Sequence, residues 1–277
     1  MKIRPALPQE PDSFVGRERE LDELRKAVAA TRMLTLSGPG GIGKTRLALR
    51  TLAVLAAEFP DGAWYVELAD LNSPDLVVAH VASAIGIAEE QGRPLIDTLT
   101  DALRPRTMLI ALDNCEHLID ACAMVCQRLL ATAPEVRLLV TSREPLRVAG
   151  EVVWHVPPLG VAPPGPVQEL SRSEAVQLFT ERASAFLPGF TLTPANARPV
   201  AELCRELDGI PLAIELAAAR VRALSVEQIR SRLTDRFGLL TTGARTAPRR
   251  QRTLRAAIDW SHDLLAEREQ VLLRRLS

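Results

Sequence analysis

Residues 38–45, Gly38-Pro39-Gly40-Gly41-Ile42-Gly43-Lys44-Thr45, match the pattern G-x-x-x-x-G-K-S/T. That spacing suits one task, holding the phosphates of a nucleotide. The glycines let backbone N–H groups converge on phosphate oxygens without obstruction by a Cβ. A helix beginning near Lys44 adds the positive end of its dipole. The Lys44 ammonium can then reach the β and γ phosphates, and the Thr45 hydroxyl can ligate Mg²⁺. Arg46, next in the chain, is grouped with this nucleotide-binding set. Lys44 is one of three lysines, with Lys2 and Lys26, in a chain whose other basic residues are arginines. A lysine inside the glycine loop is therefore hard to dismiss as background. ATP or ADP with Mg²⁺ is the ligand these residues predict.

A phosphate loop needs an acidic partner for the metal. Met108-Leu109-Ile110-Ala111-Leu112-Asp113 reads as an apolar strand ending in a carboxylate, the Walker B arrangement. Ligands of open parallel sheets bind at that strand edge, so Asp113 joins Thr45 as the expected metal pair. An Asp at a strand end also serves as an ordinary turn former; the loop upstream makes the metal role the expectation. The next strand ends Val140-Thr141-Ser142-Arg143. An arginine at that edge can touch the γ-phosphate, whereas alone it would read as a surface residue.

Such a constellation requires a sheet to position it. Short apolar, β-rich runs at 33–37, 63–69, 107–113, 136–141 and 152–156 alternate with helical patterns at 44–58, 75–87, 94–103 and 116–131. Strands separated by helices need crossover connections, hence a mostly parallel sheet covered on both faces, a three-layer α/β domain. Leu109-Ile110-Ala111-Leu112 and Leu138-Leu139-Val140 are continuous apolar runs, as strands buried on both sides demand. The proline-rich stretch 157–166 then sustains neither helix nor sheet and marks a linker. Beyond it the pattern is helical: one stretch after Ser171, one opened by Pro194 and ended by Asp208-Gly209, one from Pro211 through Arg220, and one capped by Ser225 with Gln228. A second break near 241–248 precedes helical patterns at 254–265 and 267–276. The domains expected are 1–160, 168–240 and 250–277, the last read as the cut start of a third domain.

Bulk composition narrows the partners. Of 277 residues, 47% are hydrophobic, enough for a sizeable core, and 34 basic side chains balance 34 acidic ones. Whole-molecule attraction to nucleic acid or an anionic membrane is not indicated. No apolar run approaches the ~20 residues of a spanning helix, and the N-terminus lacks a signal-peptide core, so no membrane partner is expected and the cytoplasm is the expected location. Cys122 and Cys126 lie one helical turn apart near Cys115 and His117. They fall in an apolar helix pattern and read as buried helix cysteines rather than a metal site.

These elements come with others: Phe14-Val15-Gly16-Arg17-Glu18, Leu112-Asp113-Asn114-Cys115-Glu116-His117, Thr141-Ser142-Arg143-Glu144-Pro145-Leu146, Asp208-Gly209-Ile210-Pro211-Leu212 and Thr253-Leu254-Arg255-Ala256-Ala257-Ile258-Asp259-Trp260-Ser261. Together they resemble the STAND signal-transduction ATPases, close to the NB-ARC type, and most of all the ATPase core of large bacterial regulators of the AfsR and LuxR kinds. The resemblance implies a P-loop domain with strand order 5-1-4-3-2, a helical domain and a truncated winged-helix domain. It implies a nucleotide-controlled switch with weak ATPase activity, locked by ADP and opened by ATP, with self-association in the ATP state and output or sensor domains absent from this chain. Val15 and Arg17 would lie on the adenine side, and Pro211, followed by Leu212, would pack on the base, although a helix-starting proline satisfies the sequence equally well.

One departure concerns chemistry. Many relatives carry a second acidic residue after the Walker B aspartate, where this chain has Asn114. An asparagine can orient water but cannot take its proton. Glu116 or His117 could substitute, or could simply favour the dipole of the helix they begin. The catalytic candidates are thus Lys44, Asp113, Asn114 and Arg143, with Glu116 as the alternative base. The family histidine of the winged-helix domain would lie past Ser277. Two other readings stand beside the switch. An AAA+-type ATPase motor acting on nucleic acid would call for a Walker B glutamate. Direct nucleic-acid binding through Arg245, Arg249, Arg250, Arg252 and Arg255 competes with an interdomain hinge, and the hinge is the expectation.

Overall fold

The structure is a computed structural model that describes residues 7–10, 12–233 and 270. The helical patterns expected after residue 241, the winged-helix start and the arginines at 245–255 lie outside the described residues.

Five strands form one parallel sheet: β1 (Met33–Ser37), β2 (Ala63–Glu67), β3 (Met108–Asp113), β4 (Val136–Ser142) and β5 (Glu151–His155). Their order is β2-β3-β4-β1-β5, the expected 5-1-4-3-2 read from the other edge. All residues of β1 and β3 are buried, as their apolar runs require. Successive side chains point to opposite faces. On one face Met108, Ile110 and Leu112 join Leu138 and Val140 in a core with Val81, Leu99, Cys122, Val125 and Leu129. Those partners come from α3 (Val77–Ile85), α4 (Leu95–Leu103) and α5 (Ile119–Thr132). Against the other face pack α1 (Glu18–Ala30) and α2 (Lys44–Leu55). β2 and β5 are the edge strands, and all five residues of β5 keep some exposure.

The alternating pattern of the sequence does not include α1. Only Leu24 and Val28 of this helix are buried, too narrow a stripe to stand out among its charges. Glu116 and His117 also depart from expectation. They sit in a 3-10 turn, Cys115–His117, while α5 proper begins at Ile119. All four cysteines are buried, and burial pushes the thiols of Cys115, Cys126 and Cys204 up, so thiolate chemistry is disfavoured there.

The chain divides into two compact units. The first runs through Glu18–Gly38 and Lys44–Val156; the second gathers Val15–Arg17, Pro39–Gly43 and the described chain from Pro157 on. In the second unit α6 (Val167–Leu170), α7 (Glu174–Phe186), α8 (Ala197–Glu206), α9 (Pro211–Ala218) and α10 (Val226–Ser231) enclose a core around Phe179, Val200, Leu203 and Ile214. α8 starts after Pro194 rather than at it. The Asn196 side-chain oxygen accepts the Thr193 N–H at 2.7 Å, which folds 193–196 into a turn. The expected capping box is present, with Gln228 N–H donating to Ser225 Oγ at 3.2 Å and Ser225 N–H to Gln228 Oε1 at 3.0 Å. Among the described residues, no helix is long and apolar enough to cross a membrane.

Gly209 makes the turn from α8 into α9. It has φ +66°, and a Cβ there would stand 2.3 Å from the Leu159 carbonyl oxygen. The left-handed conformation alone costs a residue with a side chain about 1–2 kcal/mol, and the clash adds to that. Gly209→Ala is therefore expected to lower the thermal unfolding midpoint, measured by circular dichroism. An unchanged midpoint would show that the junction relaxes freely.

Candidate functional site

In the first unit, β1 delivers the chain into the glycine loop at Gly38, and α2 takes over at Lys44. Lys44 is buried and its Nζ donates to the Gly38 carbonyl at 2.7 Å. The Thr45 hydroxyl, one residue on, donates to both oxygens of Asp113, at 3.0 and 3.1 Å. The structure thus brings the two expected metal ligands together.

Asp113 ends β3 and is fully buried. Besides Thr45, it accepts from Thr141 Oγ1 at 2.5 Å, Tyr65 Oη at 2.9 Å and Asn114 Nδ2 at 2.7 Å. Burial pushes its carboxyl above the usual range; the bonds from Thr141, Tyr65 and Thr45 pull it back down, and the nearby Glu116 charge raises it. A hydroxyl and a carboxylate are hard oxygen donors of the kind Mg²⁺ prefers, and Mg²⁺ commonly completes its shell with phosphate and water. The donor set therefore fits the ion.

Tyr65 and Thr141 were not among the sequence-derived site residues. Tyr65 is the single tyrosine of the chain, on β2 beside β3 with Glu67 opposite Asp113. Leu112 pairs with Val140, which sets Thr141 next to Asp113. Both follow from strand register, which the sequence does not display.

Asn114 has φ 64°, the left-handed region that asparagine tolerates better than most residues. Its backbone N–H donates to Thr141 Oγ1 at 2.9 Å, and its amide already donates to Asp113. Arg143, past the end of β4, lies with its Nε 3.4 Å from Glu116 Oε1. The Glu116 side chain is 3% exposed and that of Arg143 16%, so this pair is largely shielded from water. The Ser37 hydroxyl donates to the Arg143 carbonyl at 3.1 Å, which fixes the strand end beside β1. His117 turns elsewhere: its Nε2 meets the Leu71 carbonyl at 3.0 Å. Arg46 donates from Nη2 to the Asp12 and Ser13 carbonyls at 3.0 and 2.8 Å, tying α2 to the chain before α1.

In the second unit, the loop residues Pro39–Gly43 accompany α9. Leu212 N–H donates to the Gly41 carbonyl at 3.2 Å, and Pro211 opens α9 with no backbone donor to satisfy. Pro39 and Ile42 close a turn, Ile42 N–H to the Pro39 carbonyl at 3.5 Å. Val15 packs on the helical core. Arg17 is buried and donates from Nη2 to the Ile42 carbonyl at 3.2 Å.

Known proteins carry related sequence and fold. The AAA domain family matches residues 28–148. A protein named as an HTH-type transcriptional regulator of Mycobacterium tuberculosis is 48% identical over 254 residues, 92% of this chain and 27% of that protein. Regulatory protein AfsR of Streptomyces griseus is 31% identical over 253 residues, 84% of this chain and 24% of AfsR. The chain thus spans about a quarter of the length of these regulators. A Pyrococcus horikoshii STAND protein with a tetratricopeptide repeat sensor shares the fold, with TM-score 0.51 at 17% identity, covering 99% of this chain and 36% of that one.

Proposed function

We propose that this chain, a STAND-class AAA-type ATPase core of the kind found in AfsR-like transcriptional regulators, acts as an ATP/ADP-controlled switch with slow hydrolysis. The observation that carries the proposal is the pairing of Thr45 with Asp113, and of Arg143 with Glu116, within the first unit.

In this reading the backbone amides of residues 38–45 receive the phosphates. Lys44 exchanges the Gly38 carbonyl for the β and γ phosphate oxygens. Thr45 and Asp113 would hold Mg²⁺, which supplies charge neutralisation at the phosphates. Tyr65, Thr141 and Asn114 orient the Asp113 carboxylate, as partners of a metal ligand commonly do. Val15, Arg17, Pro211 and Leu212 form the base side, and Arg46 anchors the helix that begins with Lys44. Hydrolysis is slow because Asn114 cannot accept a proton and its amide is committed to Asp113. Self-association in the ATP state, output through domains outside this chain and a cytoplasmic setting complete the proposal.

A switch needs a ligand that binds its two states unequally. Arg143 is the group suited to make ATP differ from ADP, by leaving Glu116 for the γ-phosphate. A hydrogen bond to a charged group contributes about 1.5–3 kcal/mol, part of which is spent on separating Arg143 from Glu116. Arg143→Ala is accordingly expected to weaken ATP about tenfold and to leave ADP nearly unchanged, both read by isothermal titration calorimetry. Equal losses for the two nucleotides would make Arg143 a general electrostatic or structural residue and remove the sensing step.

A further inference from the structure

Beyond the metal pair, one carboxylate ties together three stretches of the second unit that are far apart in sequence. Glu174 opens α7. Its Oε1 accepts the Arg17 backbone N–H at 2.7 Å, and its Oε2 accepts the Gly160 N–H at 3.0 Å. Ser173 adds to the junction, its hydroxyl donating to the Gly160 carbonyl at 2.7 Å. A negative charge at the N-terminus of a 13-residue helix is favoured by the dipole, and bonds to an ionised acceptor are stronger than neutral ones.

The backbone that Glu174 holds is unusual. Gly16 has φ +67°, and a Cβ there would lie 2.5 Å from Glu174 Oε1. The carboxylate occupies the space a side chain would need. Arg17 also has φ 67°, a region uncommon for residues other than glycine and retained where the surroundings enforce it. From this constrained position the Arg17 guanidinium, 4% exposed as a residue, reaches the Ile42 carbonyl.

That carbonyl matters for the loop. A trans peptide is planar, with its C=O and N–H directed oppositely. Fixing the Ile42 oxygen on Arg17 therefore fixes the direction of the Gly43 N–H, one of the amides expected to meet a phosphate. If the peptide turned over, it would aim a carbonyl oxygen where an anion should bind.

We propose that Glu174 is a positioning residue for the phosphate loop: it holds the Gly16–Arg17 backbone so that Arg17 clamps the Ile42 carbonyl and the Gly43 amide stays aimed at phosphate. The inference rests on the nucleotide-binding reading above. It predicts an effect on phosphate itself, whatever Arg17 also contributes on the base side, and it requires that Glu174 act through Arg17.

The test is a double-mutant cycle on the full chain, with calorimetric titration of Mg²⁺-ATP and of inorganic tripolyphosphate. Glu174→Ala and Arg17→Ala should each lower both affinities by about 5–10-fold. The double variant should lose little more than either single one, because residues acting through one another are not additive. Glu174→Gln keeps the length and one acceptor and should lose about 2–3-fold; it carries the same comparison if the alanine variant does not fold. Wild-type protein that binds neither probe would sink the nucleotide reading and this inference with it. Wild-type binding with losses that add in the double variant, or with ATP weakened and tripolyphosphate untouched, would overturn the role of Glu174 alone. So would Glu174 variants that bind both probes normally.

Discussion

Lys44→Ala is expected to weaken ATP by about 1.5–3 kcal/mol, the worth of a hydrogen bond to a charged group, or roughly 10–150-fold in affinity. The ammonium is buried and held by the Gly38 carbonyl, so it needs little ordering when a phosphate replaces that partner. Removing it should cost ATP and ADP alike, since both carry the β-phosphate, with a further loss for ATP. Isothermal titration calorimetry of both nucleotides checks this. Protein melting at the wild-type temperature but binding ATP with unchanged affinity would remove the loop from the site. Lys44→Arg is an informative companion, because its planar fork cannot reproduce the compact ammonium on the Gly38 side of the loop.

The parts of this molecule legible in the sequence are those set by local pattern. The strands β1, β3 and β4 announce themselves as short apolar runs between helical segments. The glycine loop, Asp113 and Arg143 could be placed because each ends one of those runs. The capping box at Ser225 and Gln228 is equally local. What escaped depends on neighbours distant in the chain. The Tyr65 hydroxyl reaches Asp113 across 48 positions, and the Arg17 amide reaches Glu174 across 157. No periodicity encodes either meeting. α1 escaped for another reason: its apolar stripe narrows to Leu24 and Val28 between charged residues, and α6 is only four residues long, shorter than any helical repeat can reveal. Asn114 shows how a departure changes meaning with geometry. As a sequence letter it is a missing acid. In the structure it is a residue able to take a left-handed turn and return its amide to the preceding carboxylate.

The largest loss of all is expected from Asp113→Ala, with Mg²⁺-dependent ATP turnover falling about 100-fold or more, equivalent to at least ~2.7 kcal/mol in the barrier. Two effects combine in that variant, and they can be separated. Losing the carboxylate removes the acidic half of the proposed metal pair, leaving Thr45 as its one protein ligand. It also strips the Thr45, Thr141, Tyr65 and Asn114 donors of their shared acceptor, and unsatisfied buried groups destabilise the fold by about 1–3 kcal/mol each. A metal ligand and a structural hub therefore predict different patterns. If Asp113 holds Mg²⁺, ATP binding measured in EDTA should be similar in wild type and variant, and the difference should open only when magnesium is added. If Asp113 serves only to organise the strand ends, affinity should fall equally with and without the ion, alongside the melting temperature. Asp113→Asn keeps the side-chain shape and one oxygen acceptor, so it should restore much of the thermal stability and little of the turnover. Wild-type turnover near ~10 s⁻¹ that persists in both variants would argue against a slow switch altogether, and would favour a motor whose chemistry resides elsewhere.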